Sequence, residues 1–171
     1  MNSLKYKFRK YFDNYPYLFK KEKSMIKKLL KKANIEHIGS SSVNGLGGKG
    51  IIDIAIAVPK KEMLKTIKKL KKFKYDYKKF AGNKERKFLQ KIIKYKGKER
   101  RIHIQLTSHG SGTWKSMTTI RDYLRKHKDM AKKYAMLKKE AVKYAKGDGE
   151  KYRNYKKSFL DKIEKMALKE K

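Results

Sequence analysis

The 171-residue sequence has no cysteine, only two prolines, and 16 acidic residues against 50 basic ones. Without cysteine, a disulfide framework, a thiolate nucleophile and a zinc–thiolate site are all excluded. No apolar run approaches the roughly 20 residues that a membrane-spanning helix needs. The first 19 residues also lack the uninterrupted apolar segment of a secretory signal. These absences predict a cytoplasmic protein with no membrane partner.

The length is that of one domain, and we expect residues 1–171 to form it. Hydrophobic residues make up 39% of the chain, which is enough for a modest core. The net charge of +34 predicts attraction to polyanions. Most of the basic residues are lysine, whereas base-specific contacts favour arginine. The lysine excess is therefore either functional or a bias of composition.

Nucleic acid is one partner that this charge allows. Tyr75, Tyr77, Phe80 and Tyr95 alternate with lysines in the most basic segment, residues 60–101. Aromatic rings among lysines can stack on bases while the ammonium groups contact phosphates. The alternative interpretation is that these rings form the core side of strands.

Charge is nearly absent from two segments. Residues 38–59 contain only Lys49 and Asp53, and residues 102–120 contain only Lys115. In a chain that is 39% charged, such segments indicate buried strands or a compact site.

Hydrophobic periodicity predicts the order of the secondary structure elements. Helical spacing is found over residues 17–33, 60–73, about 114–146 and 150–169. Strand-like patterns cover residues 51–58, 74–80, 86–95 and 101–107. Gly147, Asp148 and Gly149 end the long helix. This order predicts an α/β (α+β) fold with a small mixed sheet flanked by helices and a C-terminal helical pair.

The segment from Gly39 to Gly50 combines five glycines with three consecutive serines and Lys49. Glycine lets the backbone approach a ligand closely, and backbone amides, hydroxyls and an ammonium group all suit a phosphate. The Walker A pattern is not satisfied around Lys49. A plain glycine-rich turn is the alternative interpretation.

Asp53 lies inside an otherwise apolar strand, where a carboxylate is costly unless it is paired or bound to a metal. Two-metal phosphoryl chemistry would place a second carboxylate two residues further on, at Ala55. The facing positions on the strand over residues 101–107 are His103 and Gln105. Asp53 is thus either a metal ligand or a buried partner of Lys49 or of a backbone amide. His103 is either a proton shuttle or a polar-face residue.

Several ordered motifs resemble the GrpB family. The sequence H-I-G-S-S-S-V-N-G-L over residues 37–46, followed by K-G-I-I-D-I over residues 49–54, is similar to its signature H-I-G-S-T-S-V-P-G-L-x-x-K-P-I-I-D-I. The similarity continues over residues 15–19, 86–88, 102–104, 121–125, 131–138 and 152–159. It covers nearly the whole chain, from about residue 15 to residue 163.

The resemblance implies a nucleotidyltransferase-like fold, in which a G-S motif precedes a strand that bears acidic residues. One hypothesis is an enzyme that transfers a nucleotidyl or phosphoryl group, with Asp53 and His103 catalytic and one Mg²⁺ at Asp53. The other is a non-catalytic binder of a nucleotide or another phosphorylated small molecule. Both place the phosphate near Gly39, Ser40, Ser42, Lys49, Arg86, Arg121 and Lys156. For Arg121, an ion pair with Asp122 or Asp129 is the alternative.

Overall fold

A computed structural model of the protein describes residues 7–171, so part of the N-terminal stretch considered above, residues 1–6, lies outside it. The described chain forms a five-stranded sheet in the order β1-β2-β5-β4-β3. Within it, β2 and β5 run parallel, and the other neighbouring strands are antiparallel. The strands are β1 (Asn34–Ile38), β2 (Ile51–Val58), β3 (Asp76–Tyr77), β4 (Lys87–Tyr95) and β5 (Lys98–Ser108).

In the described part of the chain, five helices cover the two faces of this sheet. Helices α1 and α2 pack on one face, and α3, α4 and α5 cover the other. Within residues 7–171, no helix has the length and apolar character needed to cross a membrane. The helices are α1 (Tyr15–Leu29), α2 (Met63–Lys72), α3 (Gly112–Lys126), α4 (Lys128–Ala145) and α5 (Gly149–Lys169). The predicted mixed sheet flanked by helices is therefore confirmed.

Alternation along the two central strands separates a core face from a polar face. Ile52 and Ile54 of β2 pack with Ile104 of β5 in the main core, beneath α1 and α2. Successive strand residues point to opposite faces. Asp53 and His103 consequently point towards α3, α4 and α5.

A second apolar cluster joins the C-terminal helices to the glycine-rich segment. Val43 and Leu46 of that segment pack with Tyr123, Tyr134 and Ile163. These contacts hold the segment beneath the helices, next to the polar face of β2.

The predicted helix over residues 114–146 is wrong, because the chain forms two helices there. His127 leaves the helical conformation, with φ −108° and ψ 85°, and separates α3 from α4. Its ring stacks on Tyr123 at a centroid distance of 4.0 Å, and its Nε2 lies 2.9 Å from a carboxylate oxygen of Glu170 at the end of α5. The contact with Glu170, 43 residues further along the chain, therefore favours the break between the two helices. Local hydrophobic periodicity does not reveal such a contact.

Two further strand predictions need correction. The strand predicted over residues 74–80 is reduced to Asp76–Tyr77, because Lys79–Ala81 form a single 3₁₀ turn. Strand β1 was not predicted at all. Its Asn34, Glu36 and His37 weaken the apolar alternation by which a strand is recognised.

Candidate functional site

Asp53 stands on the polar face of β2, opposite Ile38 of β1 and His103 of β5. Gly39 directly follows β1 with φ +69°, in the left-handed region that favours glycine. A β-carbon on Gly39 would lie only 2.7 Å from Asp53 Oδ2. The carboxylate therefore lies directly against the backbone where the glycine-rich segment begins. Glycine is required at position 39 because the positive φ and the nearby carboxylate both disfavour a side chain.

The three serines after Gly39 form a 3₁₀ turn and have different roles. The Ser42 hydroxyl donates a 2.6 Å hydrogen bond to the Gly39 carbonyl oxygen, which closes the turn. Ser41 Oγ lies 2.9 Å from His37 Nε2, and burial lowers the pKa of His37 to about 3, with Arg125 and Arg121 lowering it further. Ser42, predicted to contact phosphate, is thus occupied within the turn, while Ser40 lines the adjacent pocket.

His103 is the titratable neighbour of Asp53 on the next strand. Its Nδ1 lies 3.6 Å from Asp53 Oδ1, and its ring meets Phe88 edge-on at 4.8 Å. The register also pairs Ala55 with Gln105, so the facing positions predicted from the sequence are confirmed. The sheet thus brings one carboxylate and one imidazole together at this point.

Three lysines from separate parts of the chain act on Asp53 through their positive charge: Lys49, Lys138 and Lys156. Together they form the lysine cluster. Burial raises the pKa of Asp53 to about 6, although all three ammonium groups act to lower it. Burial lowers the pKa of Lys138 to about 7 and that of Lys156 to about 8, and repulsion from the other lysines adds to both shifts.

Lys138 is the residue that the sequence-based site prediction missed. Its side chain is only 2% exposed, its ammonium group donates to the Gly47 carbonyl oxygen, and Nζ lies 4.8 Å above the Tyr134 ring. The one available signal was its place in the A-x-x-Y-x-x-L-K motif, where a lysine four residues after a tyrosine shares a helix face.

A pocket of about 340 Å³ opens between the polar face of the sheet and the helices. Asp53 and Ser40 line its polar side, and Arg86 reaches into it from the start of β4. Arg86 donates to Gln105 and, over 3.3 Å, to the Ala81 carbonyl oxygen. The opposite wall is largely apolar and consists of Met117, Ile120, Leu124, Tyr134 and Leu160.

Arg121 also lines the pocket, but its guanidinium is already engaged. It donates to Glu36 at 2.6 Å, to Asp122 at 2.7 Å and to the His37 carbonyl oxygen at 3.1 Å. The alternative of an ion pair with Asp122 is therefore correct, with Glu36 as an additional partner. Its predicted phosphate contact would require these bonds to be shared or broken.

The sequence-predicted residues thus fall into three groups. Gly39, Ser40, Asp53, Arg86 and Arg121 line the pocket. His103 lies beside Asp53, while Lys49 and Lys156 act on it through their charge. Ser42 lies within the 3₁₀ turn and closes it. The catalytic, phosphate-binding and Mg²⁺-binding roles assigned to these residues stay predictions.

Comparison with known proteins places the chain in a family. The family model described as GrpB protein matches residues 6–166. The chain belongs to the GrpB family. It is 28% identical to the glutamate-rich protein GrpB of Alkalihalophilus pseudofirmus over 165 residues, covering 88% of this chain and 89% of that protein. It is 29% identical over 160 residues to the UPF0157 protein BH1888 of Halalkalibacterium halodurans, covering 92% and 80%.

Solved structures agree with this assignment. The crystal structure of GrpB from Enterococcus faecalis superposes with a TM-score of 0.80 at 28% identity, covering 96% of this chain and 98% of that one. The Cid1 poly(U) polymerase, in a structure with MgGTP bound to it, gives a TM-score of 0.54 at 14% identity. That match covers 79% of this GrpB-family chain but only 44% of the polymerase. The predicted nucleotidyltransferase-like fold is therefore confirmed, as a likeness of fold alone.

Proposed function

We propose that this GrpB-family protein binds a nucleotide or another phosphorylated small molecule in the pocket beside Asp53. The proposal rests above all on the lysine cluster: Lys49, Lys138 and Lys156 all act through their charge on the single carboxylate of Asp53, at a site that burial partly desolvates. Like charges repel and buried ammonium groups lose hydration, so such an arrangement disfavours the empty site. An anionic ligand would relieve both costs.

The lining of the pocket also suits such a ligand. Ser40 and Arg86 provide hydrogen-bond donors beside Asp53, while Met117, Ile120 and Leu160 form an apolar wall across from them. Small-molecule sites commonly combine a few polar groups with apolar walls in this way. A phosphate would bind at the polar side, and a base or another apolar moiety would pack on the helices.

Transfer of a nucleotidyl or phosphoryl group is the second candidate function. The observation that favours it is the 3.6 Å separation between His103 Nδ1 and Asp53 Oδ1. An imidazole beside a carboxylate of raised pKa can move a proton near neutral pH, as general acid–base catalysis requires. An Asp53→Asn variant that keeps every nucleotide-dependent turnover would exclude Asp53 from that role.

Binding is tested by calorimetry and thermal shift with ATP, UTP, pyrophosphate and inorganic phosphate. The informative pair of variants lies on α5: Lys156→Gln removes a cluster ammonium group, and Lys157→Gln removes an exposed neighbour that pairs with Asp161 at 2.7 Å. We expect Lys156→Gln to weaken binding by about tenfold, as for a lost hydrogen bond to a charged group. The Lys157→Gln control should bind like the parent protein.

Two results would contradict the proposal. One is that no member of the ligand panel binds the parent protein. The other is an equal loss in both variants, because the general basic surface, rather than the pocket, would then attract the anion. Repeating the titration at higher salt distinguishes binding in the pocket from binding to the basic surface, since interactions between exposed charges are screened by salt and those of partly buried charges much less.

A further inference from the structure

The charged groups that a ligand can contact are those that line the pocket. Among the described residues, the cations that do so are Arg86 and Arg121. Arg121 is already paired with two carboxylates. Arg86 instead donates to two neutral oxygens, those of the Gln105 side chain and the Ala81 carbonyl group, and forms no ion pair within residues 7–171. Arg86 is therefore the one cation of the pocket lining that no carboxylate of the described chain pairs with.

The lysine cluster lies behind the pocket wall rather than in it. A β-carbon on Gly48 would lie 2.5 Å from Ser40 Oγ and 3.1 Å from Lys138 Nζ, and Ser40 lines the pocket. The ammonium groups of the other two cluster lysines lie 4.7 Å and 4.4 Å from the centroid of the buried Tyr152 ring. The cluster thus attracts an anion through its positive field, while direct contact is left to Arg86.

The guanidinium of Arg86 keeps both charge and donors for a ligand. A guanidinium has five N–H donors, so three remain after the bonds to Gln105 and Ala81. Burial lowers the pKa of Arg86, and repulsion from Arg153 lowers it further, but an arginine stays protonated at any ordinary pH. A planar guanidinium held in a fixed orientation can donate to two oxygens of one phosphate.

The sheet separates this cation from the carboxylate of Asp53. Gln105, which accepts from Arg86, comes two residues after His103 on β5, and His103 faces Asp53 on β2. Two residues of a strand span roughly 7 Å. Because the pKa of Asp53 is raised only to about 6, its carboxylate is mostly ionised at neutral pH and repels an anion. The polar side of the pocket therefore favours one anionic group, placed at Arg86.

The size and the walls of the pocket agree with a ligand that carries one charged group. Its volume of about 340 Å³ is near the lower end of the range for small-molecule sites, roughly 300 to 1,000 Å³. Across from Arg86, the side chains of Met117 and Ile120 from α3 and Leu160 from α5 form an apolar wall. This wall suits an uncharged ring or chain and offers nothing to further phosphates.

We infer that the ligand is a phosphomonoester such as a nucleoside monophosphate, with its single phosphate on Arg86 and its uncharged part against α3 and α5. The inference rests on the proposed function, because it names the class of ligand for the same pocket. A chain of three phosphates would extend along the polar side to Asp53 and would need a Mg²⁺ ion there. Within residues 7–171, no three acidic or histidine side chains are grouped to hold a metal, so that ion would depend on the phosphates themselves.

The test compares nucleotides that differ only in the number of phosphates. The full chain is titrated by calorimetry with AMP, UMP, ATP and UTP, once with EDTA and once with excess Mg²⁺, at about 0.15 M salt to screen exposed charges. We expect at least one monophosphate to bind as tightly as its triphosphate, or more tightly, in both buffers. Triphosphates that bind more than about tenfold more tightly in either buffer, a difference of one charged hydrogen bond, would overturn this inference and leave the proposed function intact. Binding of no nucleotide would overturn both.

Variants of the pocket arginine supply the second measurement. Arg86→Gln should lose about tenfold or more in affinity for the monophosphate, as for a lost hydrogen bond to a charged group. Arg86→Lys keeps the charge but not the paired donors, so it should fall between Arg86→Gln and the parent protein. Lys84→Gln, which removes an exposed lysine of the same loop, is the matched control and should bind like the parent protein.

Thermal unfolding verifies that each variant is folded, and Arg86→Lys carries the comparison where Arg86→Gln is not. Unchanged affinity in the Arg86 variants, or an equal loss in Lys84→Gln, would overturn the assignment of the phosphate to Arg86.

Discussion

Two clusters of buried and half-buried charged groups lie on opposite faces of the sheet, and they differ in charge balance. Beneath α1, the Glu22 cluster comprises Glu22, Tyr75 and Lys91. The Tyr75 hydroxyl donates to Glu22, and Lys91 Nζ lies 3.2 Å from Glu22 Oε2. On the other face, Asp53 stands among the three residues of the lysine cluster. One cluster pairs a single acid with a single base, whereas the other has an excess of positive charge.

The difference separates a structural network from a binding site. In the Glu22 cluster every charge is paired inside the protein, so the network joins α1 to β4 and needs no ligand. In the lysine cluster, desolvation and repulsion between the ammonium groups both oppose folding, and both lower the pKa values of Lys138 and Lys156. Proteins keep such unfavourable arrangements where function requires them. Opposite responses to mutation should distinguish the two clusters.

The largest effect is expected for removal of one charge from each cluster. Glu22→Gln leaves Lys91 buried beside a neutral group and should lower the free energy of unfolding by about 3 kcal/mol. Lys138→Met relieves repulsion and should change that free energy by less than about 1 kcal/mol, or raise it. Urea denaturation measures both. If the two variants are destabilised equally, the lysine cluster is as structural as the Glu22 cluster.

The next effect concerns the close contact between Gly39 and Asp53. Gly39→Ala must place an alanine at φ +69° and also crowd Asp53 Oδ2, whereas Gly110 has the same φ with open space around it. Both substitutions incur the left-handed cost of about 1–2 kcal/mol. We expect a further loss in Gly39→Ala alone, with weaker ligand binding, measured by urea denaturation and calorimetry. Identical behaviour of the two variants would show that the contact with Asp53 is unimportant.

The pH dependence of binding should distinguish the lysine cluster from the paired one. Burial lowers the pKa of Lys138 to about 7 and that of Lys156 to about 8, so both ammonium groups lose charge as the pH rises through that range. Asp53, whose pKa is raised to about 6, becomes negatively charged as the pH rises, which also weakens the binding of an anion. Burial raises the pKa of Tyr134, so its hydroxyl stays neutral over this range. Lys49 also acts on Asp53 through its positive charge.

Anion affinity measured by calorimetry should therefore fall by about tenfold between about pH 6 and pH 9, as for the loss of a charged hydrogen-bond donor. The matched variant is Lys138→Arg, because a guanidinium keeps its charge across this range. It should show a shallower fall, and comparison with the parent protein cancels the titration of the ligand itself. Affinity that is constant or rises with pH contradicts this assignment of charges.

The smallest effect is expected at the exposed aromatic ring of the basic segment. Tyr75 is buried and Tyr77 and Tyr95 pack against the core, whereas Phe80 is 94% exposed beside Lys79. Phe80→Ala should change the free energy of unfolding by less than about 0.5 kcal/mol and leave small-ligand binding unchanged. Filter binding of a single-stranded oligonucleotide tests the surface directly. Tight oligonucleotide binding that salt and Phe80→Ala both abolish would assign the surface a nucleic-acid function.

Local patterns predicted a large part of the fold and part of the site. The strand predicted over residues 51–58 is confirmed without change. The alternation around His103 correctly predicted that His103 lies opposite Asp53 on the neighbouring strand. Apolar alternation is a property of neighbouring residues, so the sequence displays it directly. The break at His127 was missed because it depends on Glu170, far away in the chain, and strand β1 was missed because its polar residues weaken the apolar alternation.

Lys138 shows most clearly why the site could be predicted only in part. In the sequence it is one of 43 lysines, and only its place four residues after Tyr134 in the A-x-x-Y-x-x-L-K motif distinguishes it from Lys139. Its burial, its bond to Gly47 and its position behind Ser40 arise from the packing of α4 over the glycine-rich segment. Proximity across about 90 residues is a tertiary property that no local motif specifies.

By itself, the sequence determined the fold class, the GrpB-family membership and the position of Asp53 on a strand within an uncharged segment. Hydrophobic spacing and ordered motifs express these properties along the chain. Only the tertiary structure decided which cations surround Asp53 and which are merely exposed, and that Arg121 is already paired with Glu36. The reason is physical: desolvation and Coulomb interactions depend on distance in space, and the fold alone brings Lys49, Lys138 and Lys156 together.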